Sequence, residues 1–268
     1  MTVGSQLREW RTRRRLTQLE LALDSGVSAR HLSFVETGRS QPGRDLLLRV
    51  TEELDVPFRE RNQILLAAGH APAFPERALD DPELAPVRET LELVLRGHEP
   101  YPAVALDRMW NLVAVNGPAV ALTRAVAVDP ALLQPPINAL RLAFHPRGFA
   151  SVMKDVGAWR EFWLDRVERQ HAVTGDERLA ELAAEVAEYE IPGPEPQSDP
   201  GGGPLGPLRV TLDDGAEFAC LAMFAGFDAP FDVTAAELAV ELVFPADDRT
   251  ARILEEVGST ETGVTYFS

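Results

Sequence analysis

The stretch TQLELALDSGVSARHLSFVETGRS, residues 17–40, limits what this chain can fold into more than any other. Thr17 followed by Glu20 has the spacing of a capping box, in which two side chains satisfy each other's backbone amides at a helix start. Leu19, Ala22 and Leu23 put apolar side chains on one face of the helix that follows. Gly26 comes after that stripe, where a left-handed backbone is needed to end a helix. Ser28 has the position of a second N-cap, and Leu32 and Val35 give its helix an apolar side. Gly38 closes that helix, and Pro42 forbids simple continuation. Two helices crossing at a tight turn need a small residue at the crossing, a glycine in the turn and apolar anchors on the second helix. Ala22, Gly26, Val27, Leu32 and Val35 meet those needs together, so a helix-turn-helix is expected.

The flanks read the same way. Leu7 and Trp10 share a face at i, i+3. Asp45 starts a helix carrying Leu47, Val50 and Leu54, and Pro57 opens another through Ile64, Leu65 and Ala68. Residues 1–70 are therefore expected to form an all-α bundle of about five helices. With these residues in place, and Thr17-Gln18 and Glu36-x-Gly38 at the expected offsets, residues 5–68 resemble the Xre-type, phage-repressor-like DNA-binding domains.

Taken over the whole chain, the formal charge of −16 argues against a polyanion partner, because phosphate neutralisation needs clustered Lys and Arg. The distribution of charge along the chain says the opposite. Residues 1–49 hold nine Arg against five acids, and residues 1–70 hold eleven against nine. The remaining residues hold fifteen bases against thirty-three acids, so the small positive field lies where a duplex would dock. The resemblance implies that Gln18, opening the first helix of the pair, donates to a phosphate. Ser28, Ala29, Arg30 and Ser33 lie in the first turns of the recognition helix, within reach of base edges, with His31 beside them. Arg30 is suited to a bidentate guanine contact, and Phe34 to a thymine methyl. Thr37 and Arg39 are placed to clamp the backbone. Arg11, Arg13, Arg14 and Arg15 either add to the field or form a solvated helix end.

Residues 71–99 are expected to be a Pro-containing joint and a connecting helix from about Pro82 to Gly97, and residues 100–268 a second domain. There the pattern becomes period two. Val104 and Leu106, a turn near Asp107–Arg108, and Leu112–Val115 read as a hairpin. Asn116 caps a helix opening at Gly117–Pro118, and helical periodicity runs to about Glu190. Residues 192–207 are rich in Pro and Gly and read as a loop. Three strand candidates follow: 208–212, 216–225 and 237–244, the first two joined by a turn at Asp213-Asp214-Gly215. In the last, Leu238, Val240, Leu242 and Phe244 alternate with Glu237 and Glu241. Two strands, a helical insertion and three strands give an α+β domain with a five-stranded antiparallel sheet and helices on one face.

The segments HLSFVETGRSQPGRDLLLRV, ERNQILLAAGHAPAF and HEPYPAVALDRMWNLVAVNGPA, in this order, resemble MmyB-like transcription regulators along nearly the whole chain. That resemblance implies a PAS-like second domain whose cavity accepts fatty-acid-like molecules. Trp110, Phe144, Phe149, Trp159, Phe162 and Trp163 are expected either to fill the core or to line such a cavity, with Arg141, His145 or Arg166 meeting a carboxylate at its mouth.

Other classes find less support. Cys220, the single cysteine, excludes an internal disulfide and multi-cysteine metal sites, and its apolar surroundings suit a buried thiol. The five histidines show no metal-binding pairing, and there is no nucleophile elbow or phosphate loop, so neither catalytic nor metal-binding residues are expected. No apolar run is long enough to span a bilayer, and the charged N-terminus lacks a signal-peptide apolar core; a cytoplasmic protein is expected, with no membrane partner. The expected protein is a homodimer that binds a pseudo-palindromic DNA operator and requires no cofactor, with a bound fatty acid or similar long-chain ligand in the second domain. The alternatives are a second domain that only dimerises or docks another protein, and an acyl or ester hydrolase fused to a helix-turn-helix.

Overall fold

A computed structural model describes residues 2–126, 128–190, 206–212, 215–227 and 232–267. It divides into two compact units. One consists of Met1–Arg77 with Ala172–Gly175 and Pro230–Ala236, and the other of Ala78–His171, Asp176–Ala229 and Glu237–Ser268.

The first unit is built on five helices: α1 (Val3–Arg13), α2 (Gln18–Asp24), α3 (Ala29–Glu36), α4 (Arg44–Glu53) and α5 (Phe58–Ala67). Their starts are set by the expected chemistry. Thr17 Oγ1 accepts from Glu20 N at 3.2 Å while Glu20 Oε2 accepts from Thr17 N at 2.7 Å, and Ser28 Oγ accepts from His31 N at 3.1 Å. Gly26 takes φ +65° between α2 and α3, a backbone that costs a side-chain-bearing residue strain. The core gathers Leu7, Trp10, Leu21, Ala22, Leu32, Val35, Leu47, Val50, Leu54, Val56, Ile64 and Leu65. One expectation fails in α2. Leu19 and Leu23 are 61% and 70% exposed, and Leu21 is fully buried with Ala22 instead. On a helix of only seven residues, two adjacent faces fit the same i, i+3, i+4 spacing, and the crossing with α3 decides between them.

The second unit is a sheet with helices. Its strands are β1 (Ala103–Leu106), β2 (Leu112–Asn116), β3 (Leu208–Thr211), β4 (Glu217–Gly226), β5 (Ala239–Pro245) and β6 (Val264–Tyr266), in the order β3-β4-β5-β1-β2-β6, with every neighbour antiparallel. The sheet therefore has six strands among the described residues, not five. The extra one, β6, is three residues long and is held by β2, with Ala114 opposite Tyr266, which is too short to show a period. Leu212 and Gly215 close the β3–β4 hairpin, while Asp213 and Asp214 of the expected turn lie outside the described residues, as do residues 192–205 of the expected loop.

The helices of this unit are α6 (Ala85–Gly97), α7 (Gly117–Ala125), α8 (Ala139–Phe144), α9 (Val156–Thr174, whose last three residues fall in the first unit), α10 (Glu177–Ala187) and α12 (Asp248–Gly258); α11 (Val233–Ala236) belongs to the first unit. The helical insertion is thus several elements rather than one continuous stretch. Helices are not confined to one side either. Leu91 and Leu95 of α6 pack against Ala103, Ala105, Ala114 and Val240, on the opposite face of the sheet from Val104. Successive strand residues alternate faces, so a helix covering Ala103 and Ala105 leaves Val104 to the other side. Asn116 ties these elements together. Its Oδ1 accepts from Ala103 N at 2.9 Å and Ala119 N at 3.1 Å, and its Nδ2 donates to Leu95 O at 3.1 Å and Tyr101 O at 2.8 Å.

Candidate functional sites

In the first unit the exposed face of α3 is organised from beneath by a buried charge. Glu36, at the end of α3, receives Arg11 Nε at 2.7 Å and Arg11 Nη2 at 2.9 Å, and Gln18 Nε2 donates to it at 2.7 Å. Burial opposes ionisation of Glu36, but the hydrogen bonds from Arg11 and Gln18 outweigh it and hold the carboxyl below its ordinary range. The three residues pin α1, the start of α2 and the end of α3 to one another. Gly4 permits the close approach of α1, since a Cβ there would lie 2.3 Å from the carbonyl oxygen of Val35.

Above this support, Ser28, Arg30, His31, Thr37 and Arg39 are exposed. The Arg30 guanidinium lies 5.3 Å from the centre of the half-buried Phe34 ring, which gives a flexible cation a platform. Ser33 is half-buried, and Ala29 packs against the core. Thr37 Oγ1 donates to Ser33 O at 2.7 Å, leaving its oxygen to accept. Gln18 spends one N–H on Glu36, and its amide has one further N–H to donate. Two of the four clustered arginines are structural. Arg11 holds Glu36 and Leu16 O, and Arg14 donates to Leu54 O and Asp55 O at 2.8 Å each, closing the carbonyl end of α4.

The second unit contains a cavity of about 530 Å³ between one face of the sheet and the helical insertion. From the sheet come Val104, Leu112, Val115, Leu208, Val210, Phe218, Cys220, Ala222, Val243 and Thr265, with Phe267 just past β6; α7, α8 and α9 supply most of the rest, including Leu122, Leu140, Phe144, Trp159 and Trp163. Cys220 is buried there, and burial pushes its thiol up to about 12, which leaves it neutral and poorly nucleophilic. Trp110 contributes from an unusual backbone, φ +66°, and its Nε1 donates to Gln170 Oε1 at 3.0 Å. A bulky residue in that region carries strain, which the surrounding hydrogen bonds hold in place.

All the residues that line this cavity except Thr265 and Phe267 fall within a stretch, 87–257, that matches the family model for the MmyB-like transcription regulator ligand binding domain. The chain belongs to this family. Residues 7–61 match the helix-turn-helix model, so this MmyB-like chain joins a helix-turn-helix domain to the ligand binding domain of a transcription regulator family. It is 40% identical over 74 residues to the HTH-type transcriptional regulator RghRB of Bacillus subtilis, a match covering 27% of this chain and 51% of the relative. The chain thus spans about half the length of that curated relative. Among solved structures it is similar to the clp gene regulator ClgR of Corynebacterium glutamicum, at 28% identity over 37% of this chain and 90% of that one, with a TM-score of 0.22.

Of the expected ligand residues of the MmyB-like domain, Trp110, Phe144, Phe149, Trp159 and Trp163 line the cavity. Phe162, Arg141, His145 and Arg166 do not. Phe162 lies off the i, i+4 face that carries Trp159 and Trp163, and its ring meets both edge-on. Arg141 is held by both oxygens of Glu185, at 2.8 and 2.7 Å. The His145 ring packs edge-on against Tyr189 at 5.1 Å. Arg166 lies over aromatic rings, 4.9 Å from Phe224, 5.7 Å from Trp110 and 5.8 Å from Trp163.

The charged residues that do line the cavity are Arg124 and Glu241. Arg124 is largely exposed and paired with Glu261. Glu241 sits at mid-strand in β5, between Val104 of β1 and Phe224 of β4. Burial raises its carboxyl to about 7 against the opposing charge of Arg166, and among the described residues no hydrogen bond or ion pair reaches it. The alternation with Leu242 and Phe244 would give Glu241 to solvent. In fact Leu242 faces α6, Phe244 is partly exposed, and Glu241 faces the cavity. A wall that meets a ligand and a wall that meets water leave the same mark on a strand.

Proposed function

We propose that the protein binds a pseudo-palindromic operator as a homodimer, and that a long-chain, fatty-acid-like ligand in the second unit alters that binding. The apolar cavity of about 530 Å³ carries the ligand half of this reading, and it falls within the roughly 300–1,000 Å³ of small-molecule sites. The antiparallel sheet with a helical insertion over its cavity face supports a PAS-like fold with one strand added. Arg30, exposed at the start of α3, is assigned to a base edge, with Ser28, Ala29, His31, Ser33 and Phe34 around it. Gln18, Thr37 and Arg39 are assigned to the phosphates. In a dimer, two copies of α3 would enter successive major grooves about 34–36 Å apart. Leu221, Met223 and Phe244, exposed on the sheet face opposite the cavity, supply apolar surface for pairing. Such coupling requires the ligand to prefer one arrangement of the dimer, since equal affinity for both shifts nothing.

Gel-shift titration of an operator fragment with and without dodecanoate, dodecanol or dodecylamine tests the coupling, and native mass spectrometry tests co-purified ligand. A changed operator affinity is expected with at least one of the three. Unchanged affinity despite measurable chain binding would leave a regulator whose second unit only dimerises.

A further inference from the structure

We propose that the cavity holds its chain ligand in one direction, with the carboxylate at the β6–α7 end on Arg124 and the hydroxyl of Thr265, and the methyl end toward Trp110 and Trp163. The inference rests on the reading of the cavity as a fatty-acid site and adds which residues hold the head and which way the chain points.

The register of the sheet lays out a track for such a chain. Phe224 of β4 stands opposite Glu241 of β5, Glu241 opposite Val104 of β1, Val104 opposite Val115 of β2, and Val115 opposite Thr265 of β6. Directly opposed residues share one face of a sheet, so the row crosses five strands on the same side. Glu241, Val104, Val115 and Thr265 all line the cavity. At about 4.8 Å per strand, Glu241 and Thr265 are separated by about 14 Å, with only the two valines between them.

The two ends of this row differ in sign. At each end an acid faces an arginine, but only one member of each pair lines the cavity. Beside β5 it is the acid: Glu241 is in the lining, and Arg166, whose charge opposes it, is not. At the far end it is the cation: Arg124 is in the lining, and its partner Glu261 is not. A carboxylate is thus repelled at the first end and attracted at the second. The second pair is firmly placed. A Cβ on Gly117 would lie 2.4 Å from the carbonyl oxygen of Glu261, and Gly117 N donates to Gly263 O at 2.7 Å, so the chain before β6 is seated on the start of α7. About two helical turns then carry α7 from Gly117 to Arg124.

Arg124 also has the right donors left. Glu261 takes its Nη1, and no described residue takes Nε or Nη2, the edge of a guanidinium that grips a carboxylate through two parallel bonds. No described residue engages the Thr265 hydroxyl either. Both residues are exposed as well as lining, so the cavity reaches water at this end. A charged head held there keeps part of its hydration while the chain buries apolar area. The opposite end suits the tail: Trp110 and Trp163 meet edge-on at 5.3 Å, and Phe224 lies 5.2 Å from Trp163.

The test measures binding of dodecanoate and dodecanol to the full-length protein at about pH 8, where the acid is ionised. Arg124→Gln should weaken dodecanoate about tenfold and change dodecanol less than about threefold. The exposed pair it breaks contributes little to folding. Glu261→Gln removes the negative charge beside the guanidinium and should tighten dodecanoate severalfold, a sign that lost structure would not produce. Direction is read from tryptophan emission with brominated chains at saturation, since bromine quenches indole at short range: 12-bromododecanoate should quench more than 6-bromododecanoate. An unchanged acid-to-alcohol ratio in Arg124→Gln, weaker acid binding in Glu261→Gln, or stronger quenching by the 6-bromo isomer would overturn this placement while leaving an apolar-chain cavity. Binding of neither dodecanoate nor dodecanol would overturn the cavity reading itself and this inference with it.

Discussion

The two units treat an inward-facing glutamate in opposite ways. In the helical unit, Glu36 is enclosed by Arg11 and Gln18, and its carboxyl is held below its ordinary range. In the sheet unit, Glu241 is half-buried at the cavity wall with no hydrogen bond from a described residue, and its carboxyl is raised to about 7. The first arrangement is closed: its donors come from the chain, and its product is a fixed angle between helices. The second is open, with no donor supplied by the described residues.

Breaking the closed site should have the largest effect. Glu36→Ala leaves Arg11 unpaired under α3, and the expected loss is about 3–5 kcal/mol, seen in urea denaturation as early melting of the helical unit together with loss of operator binding. A variant that melted like the parent would show Glu36 to be dispensable to the scaffold.

The open site should give a smaller effect with a distinctive sign. Because the folded carboxyl of Glu241 is raised from 4.5 to about 7, the folded state holds the proton more tightly than the unfolded state. Its contribution to stability is therefore greatest below pH 4.5, falls as the pH rises to about 7 and is level above. The full difference is up to about 3 kcal/mol, less where water enters the cavity. The Cys220 thiol of β4, pushed up by burial, stays neutral across this range and leaves the sign unchanged. Glu241→Gln should remove this slope, and parallel pH–stability curves for the two proteins would contradict the raised carboxyl. Glu36 slopes the other way, since its contribution is present above the ordinary carboxylate range and is lost as the pH falls through its lowered value.

On the DNA side, Arg30→Ala should cost about 1–3 kcal/mol against the preferred operator and little against random duplex. Unchanged sequence preference in competition gel shifts would move the reading head elsewhere on α3. The smallest effect is expected at Leu23, which is 70% exposed. Leu23→Ala should change stability by less than about 0.5 kcal/mol, against about 2–5 kcal/mol for Leu21→Ala, and reversal of that order in thermal melts would restore the face expected from spacing.

What can be read from residues alone divides along the same line. The helical unit is legible because its devices are local: the Thr17–Glu20 box, the Ser28 cap and the glycine at 26 each act within a few residues. Leu19 and Leu23 mislead because seven residues are too few to fix a face. In the sheet unit, β1 to β5 show their alternation, but β6 has only three residues and is held by a partner about 150 positions away in sequence. The aromatic side of the cavity is legible because Trp110, Trp159 and Trp163 stand out by type. Its charged residue is not, because facing a ligand space and facing solvent both place a polar residue at every second position.

The chain has four tryptophans, and Trp110, Trp159 and Trp163 line the cavity, while Trp10 lies in the helical core. Indole emission responds to the polarity around the ring, so the ultraviolet fluorescence of the unlabelled protein is weighted three to one toward the contents of the second unit. The protein carries its own optical gauge of occupancy, and Trp10 supplies a reference signal from the DNA-binding unit.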